Sequence, residues 1–283
     1  MEDWFEEKNV VNTMMACVSI MGLAVVMWVA FGYSLAFGGN HGGIIGDFRW
    51  AFLHGINMSE AGPYADSIPH LVYIAFQMMF AIITPALITG SLVGRMKFKA
   101  LFFFIALWSV VVYYPLAHMV WGEGGLLAAI GSVDFAGGNV VHISSGITAL
   151  TLAILLGRRK GYNKVAYRVH NIPFVVLGAS MLWFGWFGFN AGSALKADGL
   201  AAHAFMTSAI SAGVALLSWM LLDVIMDKKP TLVGASTGFS CWISCNHTGS
   251  RFRPDLVRIY HWSISQPNLL LRRKTDQTET ENR

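Results

Sequence analysis

The 283-residue chain is rich in hydrophobic residues (55%) and poor in charged residues (13%). Soluble domains carry about 25% charged residues, so the composition excludes an ordinary soluble protein. The net charge of +4 does not indicate a nucleic-acid partner, because seven basic and four acidic residues from Ser250 onward account for +3 of it.

Six apolar windows along the chain are long enough to cross a bilayer core, which takes about 20 residues of helix. They are residues 10–37, 70–93, 100–121, 140–156, 173–193 and 200–226. A long helix in a soluble core could mimic one such window, but not six in succession. The sequence therefore predicts an all-α polytopic membrane protein.

The loops between these windows differ in their basic residues. One alternate set contains Arg95, Lys97, Lys99, Arg158, Arg159, Lys160, Lys164, Arg168, Lys228 and Lys229. The other set contains only Arg49 and Lys196, together with six acidic residues. By the positive-inside rule, the basic loops and both ends of the chain are predicted to be cytoplasmic, and the segments around 39–68 and 122–139 to face outside.

The cysteines and the first residues give two further expectations. Cys17 lies within an apolar window, so no disulfide framework is implied. The opening MEDWFEE is acidic and does not resemble a cleavable signal peptide. Cys241, Cys245 and His247 have a spacing too weak to predict a zinc site, and we expect neither a metal nor a cofactor.

Polar residues within the windows need a physical reason, since ionisable groups in a membrane are costly. His142 lies near the start of the fourth window, in DFAGGNVVHISSG. A packing histidine bonded to a carbonyl and a proton-relaying histidine both fit that position. Asp134 could cap the helix, and Gly137 and Gly138 allow close backbone approach.

Aromatic residues are concentrated in three of the windows. Phe76 and Phe80 are four residues apart and therefore share a helix face. Trp121 ends the third window, and WFGFNAGS, from Trp186 to Ser193, ends the fifth. Spacing alone does not separate a ligand site from packing or from an interfacial aromatic belt.

Four segments in order carry a family resemblance: FQMMF, YYPLAHMVWG, DFAGGNVVHISSG and HNIPFVVLGASMLWFGWFGFNAGS. The sequence resembles the ammonium transporter, methylammonium permease and Rhesus protein family over about residues 8–238. DFAGG followed by VVH, and WFGFNAGS, resemble the ammonium transporter branch. The resemblance implies the ammonium transporter fold and passage of ammonium, ammonia or methylammonium through a hydrophobic pore, and no enzyme activity.

The resemblance also implies roles for individual residues. Trp121 and Ser193 match an outer recruitment site, where a cation meets an aromatic face and a hydroxyl. Phe76 and Phe189 match the remaining aromatic wall and the gate, with Phe80 stacked as the inner gate ring. His142 matches the first of two pore histidines and Asp134 a buried acid that acts by its charge. Gln77, Tyr114 and Trp186 match further positions near the pore.

The two ends of the sequence depart from the family pattern of eleven helices in an inverted repeat. Six of those helices are recognisable, and we expect residues 8–238 to be a partial transporter domain. Codons permitted for 238–271, read one base later, allow an apolar helix, a loop and another helix that resemble the family's continuation. We therefore interpret 1–7 as an aberrant N-terminus and 239–283 as an out-of-frame or disordered tail, and expect no transport by this chain alone.

Other functions and partners follow from the same resemblance. An ammonium sensor and a Rhesus-like gas channel are alternative functions, and a membrane enzyme would need His142 and Asp134 to be catalytic. A multi-pass protein of the plasma membrane is implied, in contact with the lipid bilayer. The intact protein would form a homotrimer and, in bacteria or archaea, could bind a PII signal protein; no nucleic-acid partner is expected.

Overall fold

The computed structural model describes residues 2–158 and 170–245, with side-chain surroundings given for 10–158 and 170–238. The chain divides into two compact units, Met1–Tyr162 and Asn163–Arg283, which are described one at a time.

The first unit is built from helices that are interrupted by π-helical turns. Its α-helices are α1 (Glu2–Met27), α2 (Tyr33–Phe37), α3 (His70–Leu92), α4 (Phe98–Trp108), α5 (Tyr114–Trp121), α6 (Leu126–Ala129) and α7 (Ser144–Leu156). The π-helical segments are Trp28–Gly32, Ser109–Tyr113 and Gly138–Ile143, and a 3₁₀ turn covers Ala51–Leu53. Two short antiparallel strands, β1 (Ala61–Gly62) and β2 (Ala65–Pro69), form a hairpin between α2 and α3.

The π-helical segments join neighbouring helices into continuous rods. α1 and α2 thus form one rod, α4 and α5 a second, and the segment before α7 extends that helix at its start. The described residues contain six spans long and apolar enough to cross a membrane: Val10–Phe37, His70–Leu92, Phe98–Ala129, Gly138–Leu156, Ile172–Gly192 and Gly199–Asp227. The six predicted spans are confirmed, and the protein is a multi-pass membrane protein.

Within the first unit, α3 packs against α1 and α7, while α4 packs against α1 and α5 against α2. Aromatic rings fill the centre: Trp28 lies 5.7 Å from Tyr33 and 6.0 Å from Tyr114 between ring centroids. Gly32 faces the ring of Tyr114 so closely that a Cβ would overlap it. The glycine therefore lets the Trp28–Gly32 segment approach the start of α5.

The rods of the first unit run between two ends, which we name by residues that lie there. At the Trp121 end, α2 and α5 finish and the Gly138–Ile143 segment begins. At the Arg95 end, α3 and α7 finish and α4 begins, and Nη1 of Arg95 donates to the carbonyls of Ala153 (3.3 Å) and Gly157 (2.8 Å).

The second unit contains α8 (Ile172–Gly192), α9 (Gly199–Asp227) and α10 (Leu232–Cys245), which pack against one another. Side chains cap two of these helices in the ordinary way. Side-chain Oδ1 of Asn171 accepts from Phe174 N–H at 3.0 Å, and the Asp198 carboxylate accepts from two amides at the start of α9. α10 extends seven residues into the predicted tail, of which 246–283 lie outside the described residues.

Large apolar side chains remain exposed along the spans of both units. Examples are Phe103 (72% exposed), Ile154 (71%) and Phe184 (82%). Exposure of this kind is normal for a surface that meets lipid chains, which replace water as the solvent around the spans.

Candidate functional site

Asp134 organises the Trp121 end of the first unit through its carboxylate. Oδ1 accepts hydrogen bonds from the backbone N–H groups of Gly137 and Gly138, both at 2.7 Å. Oδ2 accepts from Asn139 (2.7 Å) and Val140 (3.0 Å). The carboxylate thus caps the start of the π-helical segment, where backbone amides have no partner within the helix.

Trp121, the last residue of α5, is tied to the same point. Its indole Nε1 donates to the backbone carbonyl of Asp134 at 3.0 Å. The helix ends here because Gly122 turns to an extended conformation, while its N–H still donates to the carbonyl of His118 at 2.9 Å. This hydrogen bond therefore holds the indole ring at its N–H edge and does not involve the faces of the ring.

A row of aromatic rings begins at Trp121 and follows one face of α3. The centroids of Phe80 and Trp121 are 5.5 Å apart with the rings edge to face, and Phe76 meets Phe80 edge to face at 5.0 Å. Phe80 is 1% exposed. The two phenylalanines meet at 70° rather than stacking in parallel, the arrangement that edge-to-face quadrupoles favour.

His142 lies within the Gly138–Ile143 π-helical segment. Its backbone N–H donates to the carbonyl of Gly137, five residues earlier, at 3.1 Å. Gly137 adopts a left-handed backbone with φ of +94°, and a Cβ there would approach Val141 to 2.7 Å. The widened turn and the glycine together set the direction in which the His142 side chain leaves the helix.

Gln77 and Tyr114 are buried in the first unit beside this row. Nε2 of Gln77 donates to the hydroxyl of Tyr73 at 3.2 Å, whereas its Oε1 has no hydrogen-bond partner among the described residues. Tyr114 packs against Trp28 and Phe31. Both residues therefore belong to the buried core of the first unit.

The predicted site residues of the second unit follow one another along the last turns of α8. Trp186 stacks on Phe189 with ring centroids 4.5 Å apart. Ser193 Oγ donates to the carbonyl of Phe189 at 2.8 Å, which leaves the hydroxyl oxygen able to accept. The structure brings these three together within their unit, as it brings Trp121, Asp134, Phe76 and Phe80 together in the first.

His118 and Asn40 are important residues that the sequence analysis did not single out. His118 is fully buried, with Nδ1 3.0 Å from the carbonyl oxygen of Ala36 and Nε2 3.3 Å from Oδ1 of Asn40. Nδ2 of Asn40 in turn donates to the carbonyl of Gly124 at 3.0 Å. These contacts fasten the last turn of α5, and with it Trp121, to α2 and the following loop.

The loop after α2 has its own electrostatic anchor. Asp47 pairs with Arg49, with Oδ2 and Nε 2.8 Å apart. Burial by itself would raise the pKa of the Asp47 carboxyl, but hydrogen bonds from the backbone and side chain of Arg49 and the backbone of Gly39 outweigh it and lower the pKa. Burial raises the pKa of the Tyr64 phenol, which donates to the carbonyl of Phe37 at 2.8 Å.

The residues that the structure describes contain no cluster of histidine, cysteine, aspartate or glutamate that could hold a metal ion. Cys241, Cys245 and His247, which the sequence analysis considered for zinc, lie outside the described side chains. At the Trp121 end, the residues discussed above offer aromatic faces, backbone dipoles, the Asp134 carboxylate and the imidazoles of His118 and His142.

Comparison with known proteins extends these observations. The Ammonium Transporter Family model matches residues 2–240. An ammonium transporter of Bacillus subtilis is 46% identical over 233 residues (82% of this chain, 56% of that protein), and one of Aquifex aeolicus is 46% identical over 237 residues (82% and 54%). The crystal structure of Saccharomyces cerevisiae Mep2 superposes with a TM-score of 0.81 at 32% identity (89% and 57%).

The chain spans about half the length of the curated relatives it matches. Within that length, the family match runs through both units and through every predicted site residue. The fold, the six spans and the family match agree with one another. The chain belongs to the Ammonium Transporter Family, whose members are transporters.

Proposed function

We propose that residues 8–238 supply part of an ammonium transporter, which recruits ammonium at an aromatic site and passes ammonium, ammonia or methylammonium along a hydrophobic pathway. The observation that carries the proposal is the assembly at the Trp121 end, where an oriented indole stands beside a row of phenylalanines and a capped carboxylate. The family's ammonium transporters, named above, support the choice of substrate.

Trp121 is the residue to which we assign first contact with the cation. Because its N–H is engaged by the Asp134 carbonyl, the ring is held in one orientation, and the half-buried residue remains partly accessible to a cation. Cation–π attraction is worth about 0.5–2 kcal/mol, depending on desolvation. We assign Ser193 as the hydroxyl acceptor and Phe76 and Phe189 as the remaining aromatic wall, on the family resemblance.

Asp134 acts, in this proposal, through its field and not by touching the substrate. Both of its oxygens are occupied by backbone amides, so its negative charge is spread over a capped helix start. The charge still favours a cation near Trp121, whose indole is bonded to the same residue. The same bonds stabilise the π-helical segment that carries His142.

The gate and the proton relay complete the proposed pathway. Apolar rings at Phe76, Phe80 and Phe189 disfavour a hydrated ion, so passage requires loss of water or of charge. His142 follows this row along the family pattern, and a neutral imidazole is able to accept a proton from ammonium. Gln77, Tyr114 and Trp186 support the walls.

The membrane placement belongs to the same proposal. The basic residues of the Arg95 end, namely Arg95, Lys97 and Lys99, favour a cytoplasmic position for that end and an external one for the Trp121 end. The cytoplasmic chain ends are inferred from the basic loops. The plasma membrane, a homotrimer and a PII signal protein as partner are inferred from the family resemblance.

Uptake of labelled methylammonium by a transporter-deficient cell tests the proposal. The chain spans about half the length of its relatives, so a chimera is needed in which residues 8–238 replace the matching segment of the Bacillus subtilis protein. The 283-residue chain is measured in the same assay, and no uptake is expected from it. The chimera should take up methylammonium, and Trp121→Ala should raise its apparent KM about tenfold, the upper part of the cation–π range.

Phe103→Ala provides the matched control, since Phe103 is an aromatic residue 72% exposed on a span. It should leave the KM of the chimera unchanged. A chimera that reaches the membrane without taking up methylammonium, or equal effects of the two substitutions, would contradict the proposal.

A further inference from the structure

The segment between α2 and α3 contains a sequence motif that the proposed ammonium pathway does not use. Asn57, Met58 and Ser59 form an Asn-x-Ser triplet whose middle residue is not proline. This triplet is the acceptor motif for N-linked glycosylation on the external side of a membrane. The chain contains the motif a second time at Asn246, which lies outside the described residues.

The whole triplet is accessible in the structure. Residues 57–60 are all exposed, and the side chain of Met58 is 75% exposed. At Gly55, two residues earlier, no heavy atom lies within 4 Å of the position that a Cβ would take. A transferase can therefore reach the triplet, and the surrounding surface leaves room for a glycan, which is a bulky surface group.

The side chain of Asn57 closes a local turn. Its Oδ1 accepts a hydrogen bond from the backbone N–H of Ser59 at 3.0 Å. Asparagine favours this Asx turn because its side chain takes the place of a backbone carbonyl. The bond holds the carboxamide through its oxygen, and no hydrogen bond of Nδ2 is recorded among the described residues. The nitrogen that would carry a glycan is therefore available.

Asn57 is well separated from the membrane spans along the chain. It follows Phe37, the end of the first span, by 20 residues and precedes His70, the start of the second, by 13. The β1–β2 hairpin occupies part of the second stretch. In the membrane placement proposed above this segment faces outside, which is the side where the motif is used.

We propose that Asn57 is an acceptor site for N-linked glycosylation. The donor is an oligosaccharide carried on a polyprenyl pyrophosphate, and the cell supplies it together with the transferase. Nδ2 of Asn57 forms a bond to the anomeric carbon of the first sugar and loses one proton to a base of the transferase. The bond from that carbon to the pyrophosphate oxygen breaks, and the polyprenyl pyrophosphate leaves with the electron pair. The inference rests on the external position of the Trp121 end.

The second copy of the motif is an internal control. Asn246 begins an Asn-His-Thr triplet, which meets the same sequence requirement. It follows the basic pair Lys228 and Lys229, and α10 between them has only 14 residues, fewer than a membrane span needs. The basic pair predicts a cytoplasmic position for Asn246. We therefore expect modification at Asn57 and not at Asn246.

Expression of the full 283-residue chain in yeast tests the proposal, because yeast glycosylates this motif on the external side of its membrane proteins. The unmodified chain should give a heavier band that peptide N-glycosidase converts to a lighter one. That enzyme leaves an aspartate where the glycan was attached, and peptide mass spectrometry should find it at position 57 and not at 246. Asn57→Gln should abolish the band shift, whereas Asn246→Gln should leave it complete.

Ser59 offers a matched pair of substitutions. Ser59→Thr keeps the hydroxyl that the motif requires and should preserve the band shift, whereas Ser59→Ala should abolish it. Both variants retain the backbone N–H that binds Oδ1 of Asn57, so a difference between them reports the motif and not the turn. Thermal unfolding in detergent verifies that the variants remain folded.

Three results would overturn the proposal: no band shift for the unmodified chain, a shift that survives Asn57→Gln, and equal shifts for the two Ser59 variants. Modification at Asn246 in place of Asn57 would overturn it together with the external position of the Trp121 end. Methylammonium uptake by the chimera is a separate measurement, in which Asn57→Gln should leave the KM unchanged. Failure of glycosylation and failure of the proposed ammonium pathway are therefore distinguishable.

Discussion

The two ends of the first unit differ in how their polar groups are held. At the Trp121 end, the Asp134 carboxylate accepts from backbone amides of the residues that follow it, and the His118 imidazole and the Asn40 amide bond to backbone groups of other segments. At the Arg95 end, Arg95 makes the recorded side-chain bonds between α3's end and α7, and a cavity opens beside them.

This difference shows that the polar interactions of the first unit are concentrated at the Trp121 end. The Trp121 end is irregular: Gly122 ends α5 in an extended conformation and Gly137 takes a left-handed one. Each interruption exposes backbone groups that need partners, and the partners at the same time fix Trp121 and His142. We therefore expect substitutions at the Trp121 end to be the more damaging to stability.

The largest effect is expected from Asp134→Asn. The amide keeps one acceptor oxygen and turns an NH₂ toward backbone donors, so bonds to Gly137, Gly138, Asn139 and Val140 cannot all persist. The free energy of unfolding in an SDS titration should fall by about 3 kcal/mol. Asp66→Asn, at an exposed residue, is the control; equal curves for the two variants would contradict the expectation.

His118→Ala tests the anchor of α5. The substitution leaves the Ala36 carbonyl without its imidazole partner and creates a cavity at a fully buried position. The free energy of unfolding should fall by about 2 kcal/mol. His54→Ala removes an exposed imidazole and should be close to neutral. If His54→Ala lowered the free energy of unfolding as much as His118→Ala, the buried contacts of His118 would not be what anchors α5.

Gly137→Ala and Gly131→Ala separate backbone strain from steric overlap. Both glycines have left-handed φ values, +94° and +89°, but only Gly137 has side chains in the way, while Gly131 has open space. Each alanine adds strain of about 1 kcal/mol, and Gly137→Ala should cost about 1 kcal/mol more. Thermal unfolding in detergent measures the difference. Identical midpoints would show that the Val141 side chain moves aside without a cost in stability.

Arg95→Gln examines the other end. The substitution removes the charged donor to the carbonyls of Ala153 and Gly157 at the end of α7. A loss of about 1 kcal/mol is expected, since such bonds are partly exposed. Lys99→Gln, in the first turn of α4, should change the unfolding free energy by less. A loss larger than that of Asp134→Asn would reverse the comparison of the two ends.

Most of the fold could be predicted from the sequence because long apolar windows have few alternatives to membrane spans. The sixth window, 200–226, differs by one residue at each end from the observed Gly199–Asp227. The π-helical segments could not be predicted. Their geometry depends on tertiary contacts, such as the approach of Gly32 to the Tyr114 ring, which have no local sequence pattern.

The candidate site was predictable where its contacts are local. Asp134 and the glycines that follow it lie within a few residues of one another, so a cap and close backbone approach could be expected. His118 was missed because its partners Ala36 and Asn40 are 82 and 78 residues away in the sequence. A buried histidine whose partners are a distant carbonyl and a distant amide leaves no spacing to recognise.

The smallest effect concerns the loop that leads away from the Trp121 end. Hydrogen bonds from Arg49 and Gly39 outweigh burial and lower the pKa of Asp47 from its ordinary value of 3.8. Its stabilisation is therefore fully present above that value and is lost as the pH falls through the lower pKa of the folded state. Because the pair is largely exposed, the contribution should be about 0.5 kcal/mol or less.

Unfolding midpoints measured across this acidic range should decline more steeply for the unmodified chain than for Asp47→Asn, which lacks the titrating group. Asp66→Asn should keep the steeper decline, because it leaves the Asp47–Arg49 pair intact. Added salt should reduce the difference, since exposed charges are screened within about 10 Å at 0.1 M. Parallel declines for all three would mean that the loop is held by the Asn40 contacts, and that its charged pair adds nothing to the Trp121 end.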